Sequence, residues 1–270
     1  MPELPEVETV ARSLRPQLIG RKIKAVRNSW PRHIDRPGYA EFVDRIRGQT
    51  ITDVSRRGKF ILFPLDNSDT LIIHLRMSGH LAVLSSETEI DKHTHTVFEL
   101  DEGQELRFRD TRKFGRVYLV SDLQEVLGKL GPEPLDNEFT AEMLGDIMRG
   151  KRRVLKPFLL DQTMVAGIGN IYADEALFYA GLHPQRRTDS LDVQDIVNLH
   201  EGIQHVLQLG IDREGASISS YLKPDGQKGN MQEDVTVFRR TSEPCFKCGE
   251  PIQRIVLGGR STHFCAICQI

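Results

Sequence analysis

Four cysteines near the carboxyl end of the chain have the spacing of a metal site. Cys245 and Cys248 form one pair, sixteen residues follow, and Cys265 and Cys268 form a second pair. Two such pairs supply the four thiolates that a structural zinc ion takes in tetrahedral coordination. The alternatives are two disulfides, which a reducing compartment opposes, or four buried thiols, for which the paired spacing would be a coincidence. The spacing therefore predicts one structural Zn²⁺ bound by all four cysteines.

The first ten residues, MPELPEVETV, have both a structural and a chemical interpretation. Acidic side chains in the first turn of a helix complement the positive end of its dipole, and proline suits a first turn. The chemical interpretation requires removal of Met1, because Pro2 would then carry a secondary amine that attacks an aldehydic carbon to give an iminium. Glu3 and Glu6 could donate and accept protons beside that amine. Taken alone, the segment favours the structural interpretation.

Basic residues are unevenly distributed along a chain whose formal net charge is −2. Residues 1–60 contain 13 lysines and arginines against 7 acids, residues 61–150 contain 9 against 17, and residues 151–270 contain 14 of each. A second basic segment, 239–270, contains five basic residues against two acids. Two separated basic regions suit a clamp on nucleic acid, although solvated surface charge is the commoner explanation of such clusters.

Length and composition exclude several classes of protein. The 270 residues suffice for two domains, and 39% hydrophobic with 27% charged residues is typical of a globular chain. No apolar run approaches the roughly 20 residues of a membrane helix, and no basic stretch followed by an apolar core marks a secretory signal. We therefore expect a cytoplasmic protein without a membrane partner.

Two periodicities indicate the elements that must position these residues. Apolar spacing of three and four predicts a helix that starts almost at residue 1 and ends at Gly20. Short β-rich runs follow, and 95–100 and 105–110 read as a hairpin; the runs are 22–26, 50–54, 59–63, 70–75, 95–100, 105–110 and 116–120. Beyond a boundary rich in proline at 131–139, helical spacing returns at 141–150, 154–164, 170–181 and 190–211.

Three features of the second half have a specific local prediction. The glycines of VAGIGN (165–170) predict a tight turn between two helices, and the start of the second helix could bind a phosphate. Residues 213–232, rich in glycine and serine, read as a long loop, which is usually functional or disordered. The segment 253–264 predicts two short strands around Gly258-Gly259, with Arg260 at the tip and able to contact a phosphate.

Six segments occur in an order that matches a known family. They are MPELPEVETV, RRGKF (56–60), HLRMSG (74–79), DTRKFG (110–115), AGIGNIYADEALF (166–178) and THFCAICQ (262–269). Together they resemble the bacterial formamidopyrimidine-DNA glycosylases, which excise oxidised purines from DNA, and the match extends from residue 1 to the last cysteine.

The resemblance implies an α+β fold in three parts. Residues 1–130 would form an N-terminal β-sandwich with a leading α-helix. Residues 131–236 would form a helical domain with a helix-two-turn-helix motif at about 154–182 and a lesion-recognition loop at about 213–232. Residues 237–270 would form a zinc-finger β-hairpin with four cysteine ligands.

The resemblance also implies a reaction and its catalytic residues. Pro2 would attack C1′ of the damaged nucleotide, displace the base and form a Schiff base, and Glu3 would be the acid and base of that step. Glu6 would help to hold the site together, and Lys59 would contact the phosphate beside the lesion and assist proton transfer. Elimination of the 3′ and then the 5′ phosphate would make the protein a bifunctional glycosylase and AP lyase of base excision repair.

The partner implied by the resemblance is double-stranded DNA that contains oxidised bases, bound by a monomer at the bacterial nucleoid. The damaged base must leave the helical stack, and side chains must fill the gap that it leaves. Met77, Arg112 and Phe114 would do so, and Arg112 would hydrogen-bond the orphaned cytosine. The residues expected to bind the DNA backbone are His74, Lys156, Asn170 and Arg260.

Two positions depart from the family pattern. Members often have tyrosine at Phe238, so one phosphate contact would be missing, and a lysine or arginine at Ser219, which bears on lesion preference. Two alternative functions also remain open. One is an enzyme like endonuclease VIII, which removes oxidised pyrimidines, although the ELPEVE start and the DTRKFG segment favour the purine enzyme. The other is a noncatalytic DNA-binding protein, which the joint presence of Pro2, Glu3 and Lys59 disfavours.

Overall fold

The computed structural model describes residues 1–218 and 220–270, which divide into two compact units. The first contains Met1–Lys129 and Glu214–Asn230, and the second contains Leu130–Arg213 and Met231–Ile270. The sequence assigned the loop 213–232 to the helical domain, whereas residues 214–230 belong to the first unit, because Tyr221 packs into that unit's apolar core. The zinc hairpin is part of the second unit. Ser219 lies outside the described residues.

Within the described residues, the first unit contains a leading helix, two shorter helices and nine strands. Its elements are α1 (Leu4–Leu18), β1 (Ile23–Asn28), β2 (Ile34–Arg36), α2 (Tyr39–Ile46), β3 (Ser55–Arg57), β4 (Phe60–Pro64), β5 (Thr70–His74), β6 (Gly79–Ser85), β7 (Thr94–Leu100), β8 (Gln104–Asp110), β9 (Arg116–Val120) and α3 (Gln124–Leu127). One sheet has the order β1-β7-β8-β6 and the other β2-β9-β5-β4-β3. Both sheets and α1 contribute to one core, which includes Leu14, Ile73 and Phe98. This arrangement confirms a β-sandwich with a leading helix.

Six of the seven strands predicted for the first unit are present. Strands β7 and β8 form the expected antiparallel hairpin, in which Glu99 lies opposite Glu105. The prediction of a strand over 50–54 was wrong, because Thr50 and Ile51 make isolated bridges to different partners and no ladder continues from them. Strand β6 was not predicted, since its first residue is Gly79 and its end is rich in serine, both of which are turn signals.

The second unit is helical and ends in a two-stranded hairpin. Its helices are α4 (Ala141–Met148), α5 (Leu155–Leu160), α6 (Asn170–Tyr179) and α7 (Val193–Asp212), and its strands are β10 (Gln253–Leu257) and β11 (Arg260–Phe264). Helix α5 ends earlier than predicted, because the Asp161 carboxylate accepts hydrogen bonds from the backbone and hydroxyl of Thr163. Gly167 adopts a φ of 84° in the turn between α5 and α6, as the glycine-rich sequence predicts. None of the helices in the described residues has the length and apolar character needed to span a membrane.

Candidate active site and nucleic-acid interface

The start of the chain is held in place by buried carboxylates. Pro2, Glu3 and Glu6 are buried, and Glu3 is the N-cap of α1. The Glu6 carboxylate accepts a hydrogen bond from the Glu3 backbone N–H at 2.7 Å and another from the Ala216 backbone N–H at 2.8 Å. Residue 215 is glycine, and a Cβ there would lie 2.9 Å from Cγ of Glu6. Glu6 therefore fixes the position of the chain's first residues.

Lys59 is buried at a place where lysine is normally exposed. It occupies the two-residue turn between β3 and β4, where Arg57 pairs with Phe60 and Gly58 has a φ of 56°. The Lys59 residue is only 5% exposed, whereas lysine is rarely buried without a specific reason. The hairpin turn thus directs the Lys59 side chain into the first unit.

His74, at the end of β5, is a neutral hydrogen-bond donor. Burial lowers its pKa to about 3, and the positive charges of Arg76 and Lys59 contribute. Its Nδ1 accepts a hydrogen bond from the Arg76 backbone N–H at 2.9 Å, so the proton of the neutral ring resides on Nε2. A neutral Nε2–H donor suits a phosphate oxygen, and the contact between the rings of His74 and Phe60 at 4.5 Å holds this orientation.

The three residues expected to fill the gap in DNA are exposed. Met77 is 38% exposed and Phe114 is 46% exposed, and Arg112 is also at the surface. The guanidinium of Arg112 lies 4.9 Å from the centre of the Phe114 ring, a cation–π contact between the two side chains. Exposed apolar side chains mark a binding surface where they form a contiguous patch. Composition alone would have placed Met77 and Phe114 in the core.

The structure adds residues around these turns that the sequence analysis missed. Asp110 is fully buried and accepts hydrogen bonds from Ser78 and from the backbone of the 110–115 turn. The sequence does contain a signal, since an aspartate at the end of a strand commonly hydrogen-bonds the backbone two residues on. That signal predicts the turn, but it does not predict the hydrogen bond from Ser78, which belongs to another segment.

The four cysteines of the second unit lie close enough together to bind one metal ion. Sulfurs bound to zinc at about 2.3 Å are about 3.8 Å apart. The Sγ atoms of Cys245 and Cys268 are 3.9 Å apart, those of Cys248 and Cys265 are 3.5 Å apart, and all four lie within 4.8 Å of one another. The backbone N–H of Lys247 points at Sγ of Cys245 from 3.4 Å, which stabilises a thiolate. These residues fit one zinc ion with no coordination position left for water.

A cluster of guanidinium groups lies beside the start of α6. Asn170 begins this helix, and Arg260 is exposed at the tip of the β10–β11 hairpin. Both residues line a cavity of about 580 Å³ together with Arg239 and Arg254. A helix start with three arginines around it is suited to an anion such as a phosphate. The structure therefore brings together two of the expected phosphate-binding residues.

Lys156 does not belong to this surface, and the prediction that it binds DNA needs correction. Its side chain is 0% exposed, and Nζ donates to the Asp174 carboxylate at 2.6 Å and to the Ser261 carbonyl at 2.7 Å. Asn170 donates to the same carbonyl at 3.0 Å. Asp174 also accepts from the backbone and ring of His263. Lys156 thus joins the zinc hairpin to α5 and α6, and its charge pairs with the buried Asp174 carboxylate.

A buried glutamate fixes the segment that leads into the hairpin. Glu175 accepts hydrogen bonds from the backbone N–H groups of Thr236, Val237 and Phe238 at 2.8 to 3.0 Å. Burial raises the pKa of Glu175, and these hydrogen bonds oppose the rise. Phe238 is itself buried, with its ring edge against His263 at 5.3 Å. The phenylalanine therefore fills the position without the hydroxyl that a tyrosine would offer.

Three family models match the chain in the same order as these parts. The formamidopyrimidine-DNA glycosylase N-terminal domain matches residues 1–117, and the H2TH domain of that glycosylase matches residues 130–221. A zinc finger found in FPG and IleRS matches residues 242–270, and it contains the four clustered cysteines. The chain is thus a helix-two-turn-helix protein with one structural zinc site.

Whole-length relatives define the family. The formamidopyrimidine-DNA glycosylase of Herpetosiphon aurantiacus is 46% identical and covers 100% of both chains, and that of Bacillus subtilis is 45% identical and covers 100% of this chain and 99% of its own. A crystal structure of Lactococcus lactis Fpg with a Fapy-dG containing DNA has a TM-score of 0.91, 38% identity and 99% coverage of both chains. A complex of the same protein with an abasic site containing DNA also has a TM-score of 0.91, with 38% identity and 99% coverage of both chains. This chain belongs to the formamidopyrimidine-DNA glycosylase family.

Proposed function

We propose that this protein is a bifunctional DNA glycosylase and AP lyase that removes oxidised purines, such as 8-oxoguanine and formamidopyrimidines, from duplex DNA. The observation that carries the proposal is the burial of Pro2, Glu3 and Lys59 in the unit that also presents Met77 and Phe114 at its surface. Buried catalytic groups combined with exposed wedge residues suit an enzyme that acts on an extruded nucleotide. The related proteins solved with Fapy-dG DNA and with abasic DNA support the same substrates here.

The chemistry begins at the amine of Pro2 after removal of Met1. The nitrogen attacks C1′ of the damaged nucleotide, the bond from C1′ to the base breaks, and the base leaves with a proton. Glu3 protonates the sugar ring oxygen as the ring opens, so the C1′ atom ends as an iminium on Pro2. Because a secondary amine gives an iminium that cannot lose its charge by deprotonation of nitrogen, the intermediate is an efficient electron sink.

The same intermediate accounts for strand cleavage. The iminium acidifies the C2′ proton, whose removal expels the 3′ phosphate, and a further proton loss expels the 5′ phosphate. Water then hydrolyses the remaining link and restores the free Pro2 amine. Lys59 contacts the phosphate beside the lesion and assists these proton transfers, and Glu6 keeps the first residues in place.

DNA binding divides between wedge residues and phosphate contacts. Extrusion of a base costs a few kcal/mol, which is offset when Met77, Arg112 and Phe114 fill the vacated space. Arg112 pairs with the orphaned cytosine, and the residues that bind phosphates are His74, Asn170 and Arg260. Zinc, held by the four cysteines, supplies a folded hairpin that carries Arg260 and takes no part in the reaction. The protein acts as a monomer in the cytoplasm, at the nucleoid where its substrate lies.

Excision from duplexes with single defined lesions tests the proposal. The wild-type protein is expected to release 8-oxoguanine and formamidopyrimidine bases and to leave a gapped strand. Glu3→Gln should lower the excision rate by about 10²- to 10⁴-fold, the usual contribution of a general acid and base. Glu8→Gln is the matched control, because the Glu8 carboxylate of the same helix pairs with Arg12 of α1 and with Arg56 of β3. Preferential release of oxidised pyrimidines, or no release at all, would contradict the proposal.

A further inference from the structure

Two neighbouring turns carry the three wedge residues, and both contain strained backbone. The Met77 turn (residues 75–79) links β5 to β6, and the Arg112 turn (residues 110–115) links β8 to β9. Arg76 has a φ of 53° and Lys113 has a φ of 61°, the left-handed region that side chains other than glycine rarely adopt. Such residues persist when their surroundings over-determine the conformation, and they are concentrated at functional sites.

The Asp110 carboxylate lies between the two turns and contacts both. Its Oδ1 accepts from the Ser78 hydroxyl at 2.5 Å and from the Arg112 backbone N–H at 3.2 Å. Its Oδ2 accepts from the Gly115 backbone N–H at 2.7 Å, and His33 Nε2 lies 3.5 Å away. The Arg112 backbone N–H also reaches the Ser78 hydroxyl at 3.1 Å. The buried Asp110 side chain therefore connects Ser78 of the Met77 turn with Arg112 and Gly115 of the Arg112 turn.

Close packing reinforces this connection. The ring of Phe108 is fully buried, and a Cβ on Gly79 would lie 2.7 Å from it, while a Cβ on Gly115 would lie 2.3 Å from it. Both turns therefore rest directly on the same ring, which allows only glycine at these two points. His33 packs against the same ring: the centres of the His33 and Phe108 rings are 4.7 Å apart, and the rings are stacked.

The hydrogen bonds keep Asp110 ionised. Burial opposes the charge, but the neighbouring His33 ring and the hydrogen bonds from Ser78, Gly115 and Arg112 outweigh it and hold the pKa of Asp110 well below its usual range. A carboxylate, which has acceptor sites on both oxygens, can satisfy donors from two directions at once. An asparagine side chain has the same shape but only one acceptor oxygen, so it cannot satisfy donors on both sides.

We infer that Asp110 is a positioning residue, which together with Ser78 holds the Met77 turn and the Arg112 turn as one preformed wedge. The inference rests on the proposed function, because it assigns a purpose to side chains that would enter DNA. Asp110 does not touch the reacting atoms. It acts by keeping Met77, Arg112 and Phe114 in a fixed mutual arrangement, so that the cost of ordering them is not incurred when DNA binds.

Asp110→Asn is the sharpest variant, because neither orientation of the amide avoids a conflict between donors. An Nδ2 placed where Oδ1 lies would face the Arg112 N–H, and one placed where Oδ2 lies would face the Gly115 N–H. Ser78→Ala is the second variant, since it removes the hydroxyl that links the two turns and leaves both backbone hydrogen bonds to Asp110 in place.

The experiment compares two reactions of the full chain. Single-turnover excision from duplexes with 8-oxoguanine opposite cytosine or adenine requires the wedge, whereas cleavage at an abasic site in single-stranded DNA leaves no gap to fill. For Asp110→Asn, we expect duplex excision to fall by roughly tenfold to a hundredfold and the preference for cytosine to decrease. Ser78→Ala should change both in the same direction by a smaller factor, and single-strand cleavage should stay within about twofold for both variants.

Two control variants separate positioning from general loss of stability. Asp91→Asn makes the same change at an exposed aspartate that also accepts a backbone N–H, from His93. Ile61→Val weakens the core of the same unit without touching the turns. Neither control should alter the cytosine preference. The inference is overturned if Asp110→Asn and Ser78→Ala both keep normal duplex excision and preference, or if they lose single-strand cleavage in proportion. A wild-type protein inactive on every substrate would instead contradict the proposed function.

Discussion

The zinc hairpin of the second unit and the candidate N-terminal site of the first unit are built in opposite ways. The hairpin takes four identical ligands from one short stretch, and their spacing alone indicates both the metal and the turn between them. The N-terminal site takes different side chains from the start of α1, the β3–β4 turn and the end of β5. Each of those has an ordinary structural interpretation by itself. Spacing can therefore reveal a site within one segment, whereas a site assembled by tertiary contacts needs a pattern over the whole chain.

The largest effect should come from removing one zinc ligand. Cys248→Ser should release the metal and unfold the β10–β11 hairpin, because structural zinc contributes about 10–16 kcal/mol in isolated fingers. We expect metal analysis to find no zinc, hydrogen exchange to show loss of protection in 245–268, and the first unit to keep its protection. Ile267→Ser, at a position 62% exposed between two ligands, is the control and should retain zinc. One zinc per chain in the Cys248 variant would refute the assignment.

The next largest effect concerns the buried lysine that joins the hairpin to the helices. Lys156→Met leaves Asp174 without its cation, which should lower the free energy of unfolding by about 3–5 kcal/mol. Adding Asp174→Asn should recover part of the loss, and Lys129→Met, at an exposed position, should have little effect. Denaturant unfolding measures all three. A Lys156 variant that is fully stable but binds DNA with fewer ionic contacts would restore the original prediction for this residue.

A smaller effect follows from the buried neutral imidazole of the first unit. His74 has a folded pKa of about 3, below the value of about 6.5 in the unfolded chain. The unfolded state therefore binds more protons between these values, and stability falls as pH decreases from about 6.5 towards 3. The His74 contribution to that loss is about 2 kcal/mol at pH 5. His74→Gln should flatten this part of the profile, whereas His93→Gln should not, and equal slopes in all three proteins would contradict the burial of a neutral ring.

The smallest effect distinguishes Arg260 from Lys156. If about five or six phosphates are contacted, the logarithm of the DNA affinity should fall with the logarithm of salt at a slope near −5. Arg260→Ala should reduce the magnitude of this slope by about 0.9, and Lys156→Met should leave it unchanged. Arg149→Ala, which removes another exposed arginine of the second unit, is the control. Fluorescence titrations at several salt concentrations would check the difference, and an unchanged slope for Arg260→Ala would remove it from the interface.

The sequence contained the fold class and most of the local elements, for reasons that differ between regions. The β7–β8 hairpin and the β10–β11 hairpin have their turns and alternation within one segment, so both were predicted. The wrong strand at 50–54 and the burial of Lys156 have a common cause. In each case the outcome depends on a partner from a distant segment. Thr50 makes an isolated bridge to Lys22, and Lys156 pairs with the carboxylate of Asp174.

The candidate site was accessible to sequence analysis through family resemblance. The helix dipole offered a structural interpretation of Glu3, and no periodicity anticipates the burial of Glu3 and Lys59 that the structure shows. Asp110 was missed because its role depends on a hydrogen bond from Ser78, which is more than thirty residues away in the chain. Polar groups that are buried by tertiary contacts leave no periodic signal, so they become visible with the structure.

The central claim is that the chain's own amine performs the reaction, and chemical trapping tests it most directly. The wild-type protein is incubated with borohydride and a duplex that contains 8-oxoguanine opposite cytosine, and the covalent complex is digested and sequenced by mass spectrometry. The account predicts an N-terminal peptide that lacks Met1 and carries the sugar fragment on Pro2. An adduct on Lys59 instead of Pro2, or no adduct with either this duplex or an abasic one, would contradict it.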